Sequence, residues 1–329
     1  MGELAERRKQ TSERLQQIRN GLTDTEALAN NKACVYATGS FGRCEASKFS
    51  DLDVFIVGKN RPDGKEGSAL AQLDAICIQG DLIRLARQMG FPPFSGDGKY
   101  LTHHAVGDLT DTLGTPEDDA TNTFTARLLL LLESCPLVGE KVHTEIKEEV
   151  IDAYWRDYDD HQAEFMPAYL ANDILRLWRT FCVNYEARTK TTPERQKAKR
   201  KLTNYKLKHS RLLTCYSALL YLLAVYEHKK SVDRSDALTM VKLTPTERLE
   251  WLCEQSFLNA AKQTIDQLLE QYAVFLETTN SNEDDLIERF MDKERSREYM
   301  TAAYRFGDLM FEALMAIGQR DRFHRLLLV

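Results

Sequence analysis

Apolar residues recur at helical spacing through most of this chain, and three short stretches break that rhythm. Ala33–Ala37, around Val35 and Tyr36, is one apolar run and Val54–Val57 a second; Asp97–Val106, of mixed polarity, is the third stretch. All three predict strands, and all lie in the first half. Ahead of them Glu3–Leu28 reads as one helix with Leu15, Ile18 and Leu22 in its apolar stripe. After the second run, the turn signal Arg61-Pro62-Asp63-Gly64 leads to a helix over Ser68–Met89, with Leu70, Leu73, Ile76, Ile83 and Leu85 as apolar positions and Phe91-Pro92-Pro93 closing it. Thr115 can cap a further helix, Pro116 suits its first turn, and Glu117, Asp118 and Asp119 complement its dipole. That helix continues over Ala120–Ser134, where the block Leu128–Leu132 predicts burial on nearly all sides.

From about Gly139 strand signals cease. One helix runs from His161 or Pro167 to Arg188, with Leu170, Ile174, Leu177, Trp178 and Phe181 on or near a common face. Leu212–Tyr226 is an apolar helix, and Thr244–Leu276 and Glu283–Leu328 alternate helix with short linkers. Thr244 with Glu247 forms a capping-box signature. The pattern predicts an α+β chain: a small mixed β-sheet domain flanked by helices at 1–137, then an all-α bundle at 138–329, parted near Pro136–Gly139.

Composition narrows the class. The 329 residues are enough to bury a core in each of two domains. A formal charge of -6 gives no global drive toward nucleic acid, so any such attraction must be local. Seven cysteines are scattered without a C-x-x-C pair, which argues for reduced thiols and against a zinc site. Apolar runs such as Leu128–Leu132 are too short to cross a bilayer and the amino terminus is charged rather than signal-like, so a cytoplasmic protein with no membrane association is expected.

The candidate chemistry is concentrated at the first two strands. Thr38-Gly39-Ser40 ends the first strand in a turn. Gly39 lets the backbone approach a phosphate closely, Ser40 offers a hydroxyl and an N–H, and Arg43 adds a cationic donor. Asp51 and Asp53 stand at the head of the second strand, and hard divalent ions such as Mg²⁺ take carboxylate oxygens together with phosphate oxygens. Two more carboxylates flank the third strand as candidates to join this pair. Asp97, at its start, is preferred to Asp108, just after it. His103 and His104 read as one buried and one solvated residue, not as ligands. Arg127 either steadies the site or pairs with a neighbouring carboxylate.

A second feature lies in the helical half. Within 194–211, Arg195, Lys197, Lys199, Arg200, Lys201, Lys206, Lys208 and Arg211 oppose Glu194 alone, a strip suited to polyphosphate or nucleic acid.

Gly39-Ser40, Arg43 and Asp51-x-Asp53 resemble the signature of the DNA polymerase β-like nucleotidyltransferase superfamily. The pattern Gly39-Ser40-x-Gly42-Arg43 with Ser50-Asp51-x-Asp53, then Asp118-Asp119-x-x-Asn122-x-Phe124-Thr125-Ala126-Arg127 and an all-helical carboxy half, is similar to nucleotidyltransferases related to bacterial PII-uridylyltransferases. That similarity covers roughly the first two thirds of the chain. The chain lacks the His-Asp doublet of the metal-dependent phosphohydrolase module and the ACT sensing module of the full-length uridylyltransferases. The resemblance implies that Asp51, Asp53 and Asp97 bind Mg²⁺, or Mn²⁺ in its place. It implies that Gly39, Ser40 and Arg43 seat an NTP such as ATP. Lys206-Leu207-Lys208-His209-Ser210-Arg211 looks like the helical-domain segment that reaches the triphosphate, through Lys208 and Ser210 with Lys206 and Arg211 as alternates. The implied reaction is transfer of an NMP from an NTP to a hydroxyl acceptor on RNA, a nucleotide or a protein, with release of pyrophosphate. A second reading is a nucleotide-binding regulatory or antitoxin-like partner protein with little or no catalysis, its helical half offering a surface to a protein partner. The two differ in whether a third carboxylate is required. A nucleic-acid-binding helical protein, resting on the basic strip alone, is the third.

Overall fold

The computed structural model describes residues 2–94, 98, 101–187 and 193–328, and these fall into two compact units, Ala5–Arg156 and a unit made mainly of Asp157–Val329. The chain is mostly helical with one small mixed four-stranded sheet.

The first unit runs α1 (Gly2–Asn20), α2 (Thr23–Ala29), β1 (Ala33–Ala37), α3 (Gly39–Gly42), β2 (Val54–Gly58), α4 (Gln72–Gln88), β3 (His103–Ala105), α5 (Val106–Thr110), α6 (Pro116–Ala120), α7 (Thr123–Leu132), β4 (Cys135–Val138) and α8 (Glu140–Tyr154). The sheet order is β3-β2-β1-β4; β1 is antiparallel to β2 and β4, and β2 is parallel to β3. Every residue of β1 and β2 is buried because helices cover both faces. Ala33, Val35, Ala37, Val54 and Ile56 pack with Ile18, Leu22, Ile78 and Leu82 on one side. On the other side Tyr36 stacks on Phe55 at 5.6 Å and its hydroxyl donates to the Ala126 carbonyl.

Several expectations shift. The segment read as the domain boundary, 136–139, contains most of the edge strand β4, where Pro136 is tolerated, and the units part after Arg156. The single helix expected over Glu3–Leu28 breaks at Gly21, which lies so close to α4 that a Cβ there would meet Leu85 Cδ1 at 2.4 Å. The face of α4 that is buried is Ala75, Ile78, Leu82, Leu85 and Ala86, whereas Leu73 and Ile76 are 76% and 50% exposed. The helix expected from Ala120 starts at Thr123 instead, after Asn122 in the left-handed region at φ 62°. Thr115 does not cap α6; its hydroxyl donates to the Thr112 carbonyl.

The second unit comprises α9 (Ala168–Ala187), α10 (Glu194–Lys206), a π-helical turn Leu207–Arg211, α11 (Leu212–Lys229), α12 (Arg234–Lys242), α13 (Pro245–Glu254), α14 (Asn259–Thr278), α15 (Glu283–Met291), α16 (Lys293–Ile317) and α17 (Arg322–Leu328). Helix α11 is apolar almost all round and is correspondingly buried on nearly every side, among α9, α12, α13, α16 and α17. Thr244 and Glu247 exchange the reciprocal capping bonds that their spacing predicts. Asp292 separates α15 from α16 by accepting the Glu294 and Arg295 amides. Among the described residues no helix is long and apolar enough to cross a membrane. All seven cysteines are free thiols.

Candidate functional site

The turn leaving β1 and the loop entering β2 lie side by side because those strands are antiparallel neighbours. The Thr38 amide donates to the Asp53 carbonyl at 2.9 Å, one step beyond the last strand pair, Ala37 with Val54. Gly39 sits at φ +63°, in the left-handed region, and a Cβ built on it would stand 3.2 Å from Asp53 Oδ2. Asp51 and Asp53 flank Leu52, which is buried and anchors the loop; Asp51 is exposed and Asp53 half-buried. Both precede β2 in irregular backbone, and residues two apart in extended chain share a side. The hydroxyl of Ser40, the residue after Gly39, is buried and makes no hydrogen bond with a described residue.

Glu133, which the sequence reading passed over, organises this loop. It follows the last residue of α7, its side chain is fully buried, and one carboxylate oxygen accepts the Gly39 amide at 3.2 Å while the other accepts Arg43 Nη1 at 2.8 Å. Arg43 Nε donates to Glu45 Oε2 at 2.9 Å, so this guanidinium is buried between two carboxylates. Arg43, expected to donate to a phosphate, and the amide of Gly39, expected to let a phosphate approach, therefore converge on an anion that the chain itself supplies. The approach is tight: a Cβ on Gly42 would lie 2.0 Å from the Glu133 carbonyl oxygen. A carboxylate directly after the block Leu128–Leu132 was the available signal, because a charge at the end of a buried helix needs partners.

Other candidates have structural roles. Asp97 lies outside the described residues. Asp108 Oδ2 accepts the Ala105 amide at 2.8 Å, at the start of α5. His104 is buried, with Nε2 3.2 Å from the Thr102 hydroxyl, and His103 Nε2 is 2.9 Å from Ser68 Oγ; burial holds both imidazoles below their ordinary pKa. Arg127 is fully buried and grips Asp118 with two bonds of 2.9 and 2.6 Å, while also donating to Tyr154 Oη and the Leu109 carbonyl. Burial opposes its charge, but the bonds to Asp118 and Tyr154 outweigh that and raise its pKa.

In the second unit, the segment 206–211 is the end of α10 and the π-helical turn. Ser210 is buried and its hydroxyl donates to the Lys206 carbonyl at 2.9 Å, an internal bond rather than a donor held in reserve. Arg211 stacks over Phe181 with its guanidinium carbon 5.1 Å from the ring centre. The Lys208 ammonium lies 4.8 Å from the centre of the Tyr304 ring, and Lys206 is exposed. His209, between them, is buried against Phe275 at 4.6 Å with Nδ1 2.9 Å from the Tyr205 carbonyl. The basic strip on α10 is met in space by the acidic first turn of α15: Arg195 pairs with Asp284 at 2.5 Å and Lys199 with Glu283 at 2.7 Å.

Among the described residues no three His, Cys, Asp or Glu side chains converge as a metal site. The Asp53 carboxylate beside Gly39, the Asp51 carboxylate two residues before it in the chain and the Ser40 hydroxyl are all oxygen groups, the set a hard divalent cation and its phosphate ligand take. A scan against protein-family models and searches of curated proteins and of solved structures each returned no match.

Proposed function

We propose that the first unit is a metal-dependent nucleotidyltransferase that moves an NMP from an NTP to a hydroxyl acceptor. One observation carries the reading: a buried, unpartnered Ser40 hydroxyl in the turn where Gly39 brings the backbone against Asp53 Oδ2. A buried hydroxyl without a partner is costly, and a phosphate oxygen would satisfy it. Asp51 and Asp53 would hold Mg²⁺ or Mn²⁺, with Asp97, chosen over Asp108 for its place at the start of the expected third strand, as the third carboxylate. The metal, when bound, supplies positive charge to the triphosphate and lowers the pKa of the acceptor hydroxyl. Ser40 donates to a phosphate oxygen. Gly39 leaves room for it, and Arg43 shapes the turn through Glu133. The acceptor oxygen forms a bond to the α-phosphorus as the bond to pyrophosphate breaks, and the acceptor proton passes to solvent.

The test is incubation of the intact protein with each α-phosphate-labelled NTP, Mg²⁺ or Mn²⁺ and cell extract, beside the Asp51→Ala/Asp53→Ala variant, with products separated as protein, RNA and small nucleotides. Label entering one class with the wild type alone supports transfer and identifies the acceptor. The engagement of Gly39 and Arg43 by Glu133 favours a second reading, a nucleotide-binding regulatory protein, and NTP binding without any transfer of label would select it.

A further inference from the structure

The helical unit contains a cavity of about 390 Å³ among α9, α11, α16 and α17, lined by residues of that unit alone. Its walls are aromatic and aliphatic. Trp178 meets Tyr216 edge to face at 6.2 Å, and Leu212, Met310 and Leu314 supply apolar surface. At its mouth Tyr304, Phe311 and Leu328 are 57%, 56% and 43% exposed, a large apolar area for a surface. Polar and apolar surface share its lining about equally, and a pocket of this size that sets polar groups among aromatic walls is a common form of small-molecule site.

Two charges line it. Lys208 comes from the π-helical turn, where an extra residue widens the helix, and its ammonium contacts the face of Tyr304 but has no hydrogen bond or ion pair with a described residue. π-Helical turns recur at functional sites. Asp308, also lining the cavity, is exposed and likewise has no hydrogen bond or ion pair with a described residue. Opposite charges that share a cavity without pairing suit a ligand carrying both. Gly307, between Tyr304 and Asp308 on the lining, is inside the long helix α16, where glycine costs about 1 kcal/mol relative to alanine. A Cβ there would meet nothing within 4 Å, so no local clash demands glycine, and its missing side chain leaves the cavity open.

We infer that this cavity binds a planar aromatic zwitterion, of the class of a free aromatic amino acid, with its carboxylate toward Lys208, its ammonium toward Asp308 and its ring among Trp178, Tyr216 and Phe311. The inference stands apart from the transfer reading and is tested without nucleotide. Calorimetric titration of the intact protein with L-tryptophan, indole-3-acetate, tryptamine and indole separates the contributions of the two charges and the ring. L-Tryptophan binds about tenfold or more tightly than any of the other three, a difference of about 1.4 kcal/mol. Lys208→Met brings its affinity down to that of tryptamine, and Asp308→Asn to that of indole-3-acetate. Gly307→Leu fills the opening and abolishes binding while the thermal unfolding midpoint is held or raised. Equal affinity for all four probes, binding that survives Gly307→Leu, or no binding of any probe would overturn the assignment. Concentration-dependent dimerisation abolished by Phe311→Glu, with no probe bound, would make the face a protein contact instead.

Discussion

His209 sets a pH limit on the helical unit. Its ring is buried between Phe275, at 4.6 Å, and Phe306, at 4.9 Å, and among the described residues it hydrogen-bonds to the Tyr205 carbonyl alone. Burial is the dominant influence and pushes the imidazole from its ordinary 6.5 down to about 4, with the bond to Tyr205 opposing weakly. The folded chain therefore holds His209 neutral while the unfolded chain takes up a proton below pH 6.5. Stability is full above that pH and is lost as pH falls toward 4. A shift of about 2.5 units at 1.36 kcal/mol per unit gives a loss of roughly 2 kcal/mol by pH 5 and about 3 kcal/mol by pH 4. His209→Phe keeps an aromatic ring in the stack and removes the titration. Its absolute stability drops because the Tyr205 carbonyl loses a donor, so the quantity to compare is the dependence on pH. Hydrogen exchange of peptides covering 205–225 in the intact protein, between pH 7.5 and 4 and corrected for intrinsic rates, reports that dependence locally. The wild type should lose protection with falling pH and the variant should not. Parallel profiles within about 0.5 kcal/mol would refute the reasoning.

Further outcomes follow from the first unit. Arg127→Met strands the buried Asp118 carboxylate and should cost about 3–5 kcal/mol by calorimetry, part of which Asp118→Leu in the same chain restores. Gly42→Ala drives a Cβ into the Glu133 carbonyl and should destabilise by about 3 kcal/mol, against about 1 kcal/mol for Gly64→Ala, which meets strain alone at φ +73°. Ser40→Ala should leave the unfolding midpoint unchanged or raised, since the hydroxyl has no partner to lose, while weakening NTP binding about fivefold or more in an equilibrium assay.

What the sequence discloses here depends on contiguity. The turn at Gly39-Ser40 and the acidic pair before β2 are local patterns, and so are the two strands that carry them. Their apposition follows once β1 and β2 pair. That Glu133 needs partners is legible from its place after Leu128–Leu132, but their identity is not, because it meets Gly39 across 94 residues and only tertiary structure brings its carboxylate to that turn and to Arg43. Strand β4 escaped for a related reason: four residues containing a proline carry no strand pattern until Tyr36 and Val35 pair with them. On α4 the difference is one of phase, since Leu73, Ile76 and Ile83 form a plausible stripe beside Ala75, Ile78, Leu82 and Ala86, which are the residues buried with Leu85. In the helical half the charges of 194–211 read as a free strip because Glu283 and Asp284, which meet them, lie far along the chain.

Helix α7 acts as a mechanical link. Its Arg127 is clamped to Asp118, Leu109 and Tyr154, and the residue after its last turn, Glu133, carries the Gly39 amide and Arg43. A helix buried over this length moves as a rigid rod rather than bending at one residue. A displacement of the Asp118 clamp would thus arrive at the Gly39 turn as a translation of the carboxylate that holds it, without any change in the turn's own residues.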